Sequence, residues 1–158
     1  MSVVLTIPDL PAMERLGRVL AELLPPGTTV ALSGTLGAGK TRLVQAVAVA
    51  CGIPAADVTS PTFVLCREYH GDKTLYHADA YRLRDEDEFL ELGPEEWFAS
   101  NGLIFLEWAE RVERCLPESY LALEIVVTGE TSREVTLRAH GPRYSLLVPA
   151  IAQACSEL

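Results

Sequence analysis

Cysteine is sparse and badly placed for chemistry in this chain. The four thiols, Cys51, Cys66, Cys115 and Cys155, form no C-x-x-C pair and have no histidine at zinc-finger spacing, so they read as reduced and mostly buried. Basic charge is also short, with 13 Lys and Arg against 22 Asp and Glu and a net charge of −9. Gripping a nucleic-acid backbone needs a basic face, so direct DNA binding is not expected and any link to RNA should run through a partner. Met1–Ile7 is apolar but short, carries no basic leader and meets Pro8-Asp9; it predicts neither a signal peptide nor a membrane span, and the cytoplasm is the expected compartment. Repeats, linkers and low-complexity tracts are missing too. What remains is 158 residues of 49% apolar content, enough for one domain over 1–158 with a sizeable core.

The most informative run present is Gly34-Thr35-Leu36-Gly37-Ala38-Gly39-Lys40-Thr41, a complete G-x-x-x-x-G-K-[ST] phosphate loop. Its glycines permit positive φ and close backbone approach, so that successive N–H groups point at phosphate oxygens. Lys40 is placed to reach the β- and γ-phosphates, and the Thr41 hydroxyl to ligate Mg²⁺. The context agrees. Thr29–Leu32 is a β-prone apolar run, and Thr41–Cys51 reads as a helix stopped by Gly52 and Pro54, which would turn its positive end toward the anion.

Elsewhere, apolar residues at 13, 16, 20, 23 and 24 mark a helix over Pro11–Leu24, stopped by Pro25-Pro26-Gly27. Phe63–Tyr69 and Thr74–His77 read as strands joined by a tight turn, as do Tyr120–Thr128 and Arg133–Ala139. The acidic stretch Asp85–Glu96 predicts short helical turns, either a solvated face or a docking surface for a basic partner. Gly102–Leu106 reads as a strand buried on both faces. Ala109–Cys115 predicts a turn or two of helix, and Tyr144–Leu158 a helix started or kinked by Pro149. The expected fold is α/β, phosphate-loop NTPase-like, three-layered, with a mixed and partly antiparallel sheet flanked by helices.

A phosphate loop by itself only binds; hydrolysis also needs a carboxylate near Mg²⁺ and a group that positions water. Such acids belong at the carboxyl ends of strands beside the loop. Asp79, closing Leu75–Ala78, and Glu107, closing Leu103–Leu106, meet that condition. Each has a structural alternative, as a turn cap for Asp79 and an exposed strand end for Glu107. Thr59-Ser60-Pro61-Thr62 is either a switch-like loop or a turn with capping hydroxyls. Trp108 reads as packing, and His70 and His77 as structural histidines.

In combination, GTLGAGKT (34–41), SPTF (60–63), EYH (68–70), LYHADAYRL (75–83), FLELG (89–93) and LEW (106–108) resemble the bacterial tRNA threonylcarbamoyladenosine biosynthesis protein TsaE family, also called YjeE-type ATPases. The likeness spans roughly residues 8 to 140. It departs from many relatives at Phe63, where they have Tyr, and at Ala78 and Ala80, where they are bulkier. The resemblance implies a small Mg²⁺-dependent ATPase, slow alone, that joins the partners TsaB and TsaD. That assembly places threonylcarbamoyl on N6 of adenosine 37 of tRNA, which the chain would meet only through the complex. The resemblance further implies that Gly37–Thr41 bind phosphate, that Thr41 and Glu107 ligate Mg²⁺ and that Asp79 is the Walker B-like acid. Thr59–Thr62 would be the switch-like loop, with Thr62 among the catalytic candidates, and Trp108 belongs to the same E-W motif. Pro8–Leu10 is the candidate adenine contact. Two other readings of the loop stay open: a small-molecule kinase, disfavoured by the acidic 82–96 stretch, and a nucleotide-gated adaptor that needs no hydrolysis.

Overall fold

The structure is a computed structural model that describes residues 1–61 and 65–157. In chain order its elements are β1 (Ser2–Ile7), α1 (Leu10–Leu23), β2 (Thr29–Gly34), α2 (Lys40–Ala50), β3 (Cys66–His70), β4 (Thr74–Asp79), α3 (Glu86–Leu90), α4 (Pro94–Phe98), β5 (Leu103–Glu107), β6 (Tyr120–Val127), β7 (Arg133–His140) and α5 (Leu147–Ser156). Short 3-10 turns occupy Ala55–Asp57, Ala109–Cys115 and Pro142–Tyr144.

The strands make one sheet in the order β1-β7-β6-β2-β5-β4-β3. Its middle, β6-β2-β5-β4, is parallel, and antiparallel ribbons extend it at both edges. Parallel strands need crossovers, and these place helices on the sheet faces. β5 is therefore buried along its whole length, with Leu103 and Phe105 facing one core and Ile104 and Leu106 the other.

The larger core lies under α1, α2 and α5. The α1 stripe Met13, Leu16, Val19 and Leu20 packs there with Leu43, Val44 and Val47 of α2 and Val148 and Ile151 of α5. Helix α1 starts sharply because the Asp9 carboxylate accepts the Ala12 N–H at 2.9 Å. The smaller core lies under α3, α4 and the 109–115 turn, where Phe89, Trp97 and Val112 cover Ala31, Ala78, Ile104 and Leu106. The acidic 85–96 stretch folds as expected into two short helices, with Asp85 capping α3 through the Glu88 N–H at 2.9 Å.

Three details complete or refine the expectation. Ser2–Ile7 is a strand, made so by pairing along Arg133–Arg138. The strand expected from Phe63 runs from Cys66. Leu65, with φ 69°, breaks the extended backbone, and residues 62–64 lie outside the described residues. Pro149 falls in the first turn of α5, where its missing N–H costs no intrahelical bond. Among the described residues no helix is long and apolar enough to cross a membrane.

Candidate nucleotide site

Gly34 ends β2 and Lys40 begins α2, so residues 35–39 form a loop between the carboxyl end of a central strand and a helix N-terminus. Gly34, Gly37 and Gly39 all have positive φ, at 143°, 79° and 117°. The loop is braced from outside. Arg133, from the start of β7, donates Nε–H to the Ala38 carbonyl at 2.8 Å and its other arm to the Ser132 and Gly129 carbonyls. Lys40 is only 5% exposed. Its ammonium donates to the carbonyls of Gly34 at 2.6 Å and Thr35 at 2.9 Å, and lies 4.6 Å from the centre of the Trp108 ring. Burial lowers its pKa, partly offset by the charges of Glu107, Glu110 and Asp79.

Period-two alternation decides which side chains reach this loop. On β5, Leu103 and Phe105 face the α1–α2 side, which puts Glu107 on that side too. On β4, Leu75 does the same for His77 and Asp79. The parallel register sets Asp79 beside Glu107 and Glu107 beside Leu32 of β2. Three polar groups thus converge on the first turn of α2.

There the Thr41 hydroxyl donates to Glu107 Oε2 at 3.0 Å, and His77 Nε2 makes a close contact with the same oxygen. Asp79 Oδ1 accepts the Tyr81 N–H at 2.8 Å. Burial raises the Asp79 pKa from its ordinary value, and the Glu107 charge adds to it; the Tyr81 N–H, His77 and Lys40 pull the other way.

A cavity of about 450 Å³ opens over these groups, lined by Gly37, Gly39, Lys40, Thr41, Ser60, Asp79, Arg82, Glu107 and Trp108 among others. A second cavity of about 330 Å³ lies across the loop and shares Gly37, Gly39 and Arg42 with the first. Asp9, Leu10, Met13, Thr131 and Arg133 help to line it, so the Pro8–Leu10 segment does border the loop.

Of the sequence candidates, the loop residues 34–41, Asp79, Glu107 and Trp108 meet at one place, and Ser60 lines the same cleft. Thr59 is exposed, and Thr62 lies outside the described residues. Trp108 packs against the loop lysine. It adopts left-handed backbone, φ 59°, and its ring lies between Lys40 and Tyr81, whose ring centroid is 4.8 Å away. His77, read from the sequence as a structural histidine, and Arg133, not singled out there, also reach this cluster. The position of His77 follows from alternation, because a residue two before Asp79 on a strand shares its face; that of Arg133 does not, since nothing local ties it to residue 38.

A parallel-centred sheet whose inner strand runs into a glycine loop and helix, with acids at the neighbouring strand ends, defines the α/β phosphate-loop class. The family model for Threonylcarbamoyl adenosine biosynthesis protein TsaE matches residues 7–135. The tRNA threonylcarbamoyladenosine biosynthesis protein TsaE of Treponema pallidum is 42% identical over 123 residues, covering 78% of this chain and 90% of that protein. Its namesake in Bacillus subtilis is 38% identical over 146 residues, covering 92% and 86%. The crystal structure of Bacillus subtilis YdiB aligns with a TM-score of 0.81 at 30% identity, over 97% of this chain and 95% of that one. The chain belongs to the TsaE family.

Proposed function

We propose that the chain is the ATP-binding and ATP-hydrolysing member of the machinery that makes N6-threonylcarbamoyladenosine at tRNA position 37. It would act with TsaB and TsaD to sustain repeated turnover. The relatives' name supports the pathway. The observation that carries the nucleotide chemistry is the meeting of Lys40, Thr41, Asp79 and Glu107 at one end of α2.

The loop N–H groups and the α2 N-terminus receive the phosphates. Lys40 exchanges its Gly34 and Thr35 carbonyls for phosphate oxygens, turning two neutral acceptors into charged ones. The second cavity, bordered by Leu10 and Met13, takes the base. Thr41 Oγ1 and the carboxylates of Glu107 and Asp79 are hard oxygen donors, the set that suits Mg²⁺. Among the described residues no group of three His, Cys, Asp or Glu is arranged to hold a metal ion alone, so the ion would share phosphate oxygens. When bound, Mg²⁺ neutralises charge on the transferring phosphoryl group. Asp79, its Oδ1 held by the Tyr81 N–H, would orient the attacking water. The net charge of −9 leaves tRNA contact to the partners.

The test is repeated-turnover tRNA modification with purified TsaB and TsaD, alongside free-phosphate release. Wild type should give an ATP-dependent gain, and Lys40→Ala should lose both readouts. No gain with wild type refutes the role. If Asp79→Ala and Glu107→Ala sustain modification while Lys40→Ala does not, binding suffices and hydrolysis is incidental. Phosphate recovered on a metabolite would establish the kinase reading instead.

A further inference from the structure

His77 is fully buried, yet the sequence offers no reason for a polar ring inside β4. Its Nε2 meets Glu107 Oε2, and its Nδ1 is buried without a hydrogen-bond partner among the described residues. A bare Nδ1 lone pair is cheaper to leave unpaired than an N–H, so the ring carries its proton on Nε2 and donates to the carboxylate. Leucine would fill this position without any orphaned atom. The one polar contact the ring makes among the described residues is with Glu107.

Glu107 is itself only 4% exposed and sits at the end of an otherwise apolar strand. A glutamate has three side-chain torsions, and one bond from Thr41 leaves its rotamer under-determined. His77 comes from the neighbouring strand, one pleat below Asp79, and supplies a second fixed point on the same oxygen. Both bonds fall on Oε2, so the carboxylate is clamped between the sheet and the first turn of α2, with Oε1 as its remaining acceptor.

We propose that His77 is a positioning residue: its Nε2–H locks the Glu107 carboxylate against the Thr41 hydroxyl in the orientation that a magnesium–triphosphate complex requires. The inference rests on the nucleotide reading above. It differs from that reading in predicting that a group which never touches the ligand sets the metal-dependent part of its affinity. Hydrogen-bonded supports of this kind usually change metal affinity or activity by about 10–100-fold.

The experiment is calorimetric titration of the full chain with ATP in EDTA and with ATP plus Mg²⁺. The proteins are wild type, His77→Leu and His77→Gln, with thermal melts confirming that each is folded. Wild type should bind more tightly with Mg²⁺. His77→Leu should lose about tenfold or more of the Mg²⁺-dependent gain while binding metal-free ATP within about twofold of wild type. His77→Gln, which keeps an N–H at similar reach, should recover most of the loss. In the double variant His77→Leu with Glu107→Gln, the histidine change should add nothing further to Glu107→Gln alone. The proposal is overturned if His77→Leu keeps the full gain, if affinities with and without Mg²⁺ fall equally, or if His77→Gln binds no better than His77→Leu. A wild type that binds no ATP would instead sink the nucleotide reading itself.

Discussion

Two glycines of the loop should respond very differently to the same added methyl group. A Cβ on Gly34 would stand 2.5 Å from the Ile125 carbonyl oxygen, at a φ of +143° that side chains rarely adopt. Ile125 is the partner of Gly34 in the β2–β6 register, so the obstruction is backbone that cannot swing aside without opening the sheet. Backbone strain of about 1–3 kcal/mol and overpacking of about 1–3 kcal/mol together give roughly 2–6 kcal/mol for Gly34→Ala. At Gly37 the φ is +79° and a Cβ meets nothing within 4 Å. Only the left-handed penalty of about 1–2 kcal/mol applies to Gly37→Ala. For a chain of this size each kcal/mol lowers Tm by about 2–4 °C. Gly34→Ala should therefore lose roughly 8–16 °C around the middle of its range, and Gly37→Ala roughly 2–8 °C. Circular-dichroism melts of the two variants decide it. Equal losses, or a larger loss at Gly37, would mean that the loop is not seated against β6 as described.

Arg133→Ala should release the Ala38 carbonyl and weaken ATP binding several-fold, and Arg133→Lys should not restore it, because a lysine cannot span the Ala38, Gly129 and Ser132 carbonyls at once; full recovery by lysine in a binding titration would refute this. Alkaline stability should depend on Cys66. Burial, with Glu68 adding its charge, pushes this thiol up from 9.0 to about 12. The folded state keeps its proton where the unfolded chain has lost it, so stability falls as pH rises through 9 to 12. Cys66→Ala should flatten that fall without altering the slope below pH 9, as read by denaturant titrations across the range; an unchanged alkaline slope would exclude the thiol as a cause.

Local patterns in the chain carried the loop, its flanking strand and helix, the doubly buried β5 and both edge ribbons, because each is written in short-range spacing. Glu107 and Asp79 were legible for a related reason: an acid closing an apolar strand has few comfortable places to go. The losses were all long-range. Ser2–Ile7 pairs with Arg133–Arg138, and six residues near one end of a chain hold no trace of a partner so distant. Arg133 reaches Ala38 across 95 residues. The contact that His77 makes was hidden for another reason. In a strand, a buried histidine and a working one produce the same alternation, and only the neighbouring strand's register reveals the oxygen it serves.

The placement of β2 has a temporal consequence. Its partners are β5 and β6, which pair Val30 with Phe105 and Leu121, so the ribosome has released the whole glycine motif long before either neighbour exists. A nascent chain stopped short of residue 103 would display every letter of the phosphate signature yet lack Glu107, the Ile125 seat and the Arg133 brace. Such a fragment lacks the pairing partners of β2 and the arginine that holds the Ala38 carbonyl. The strand pairing and the brace that seat the loop are thereby completed only once synthesis has passed the second ribbon.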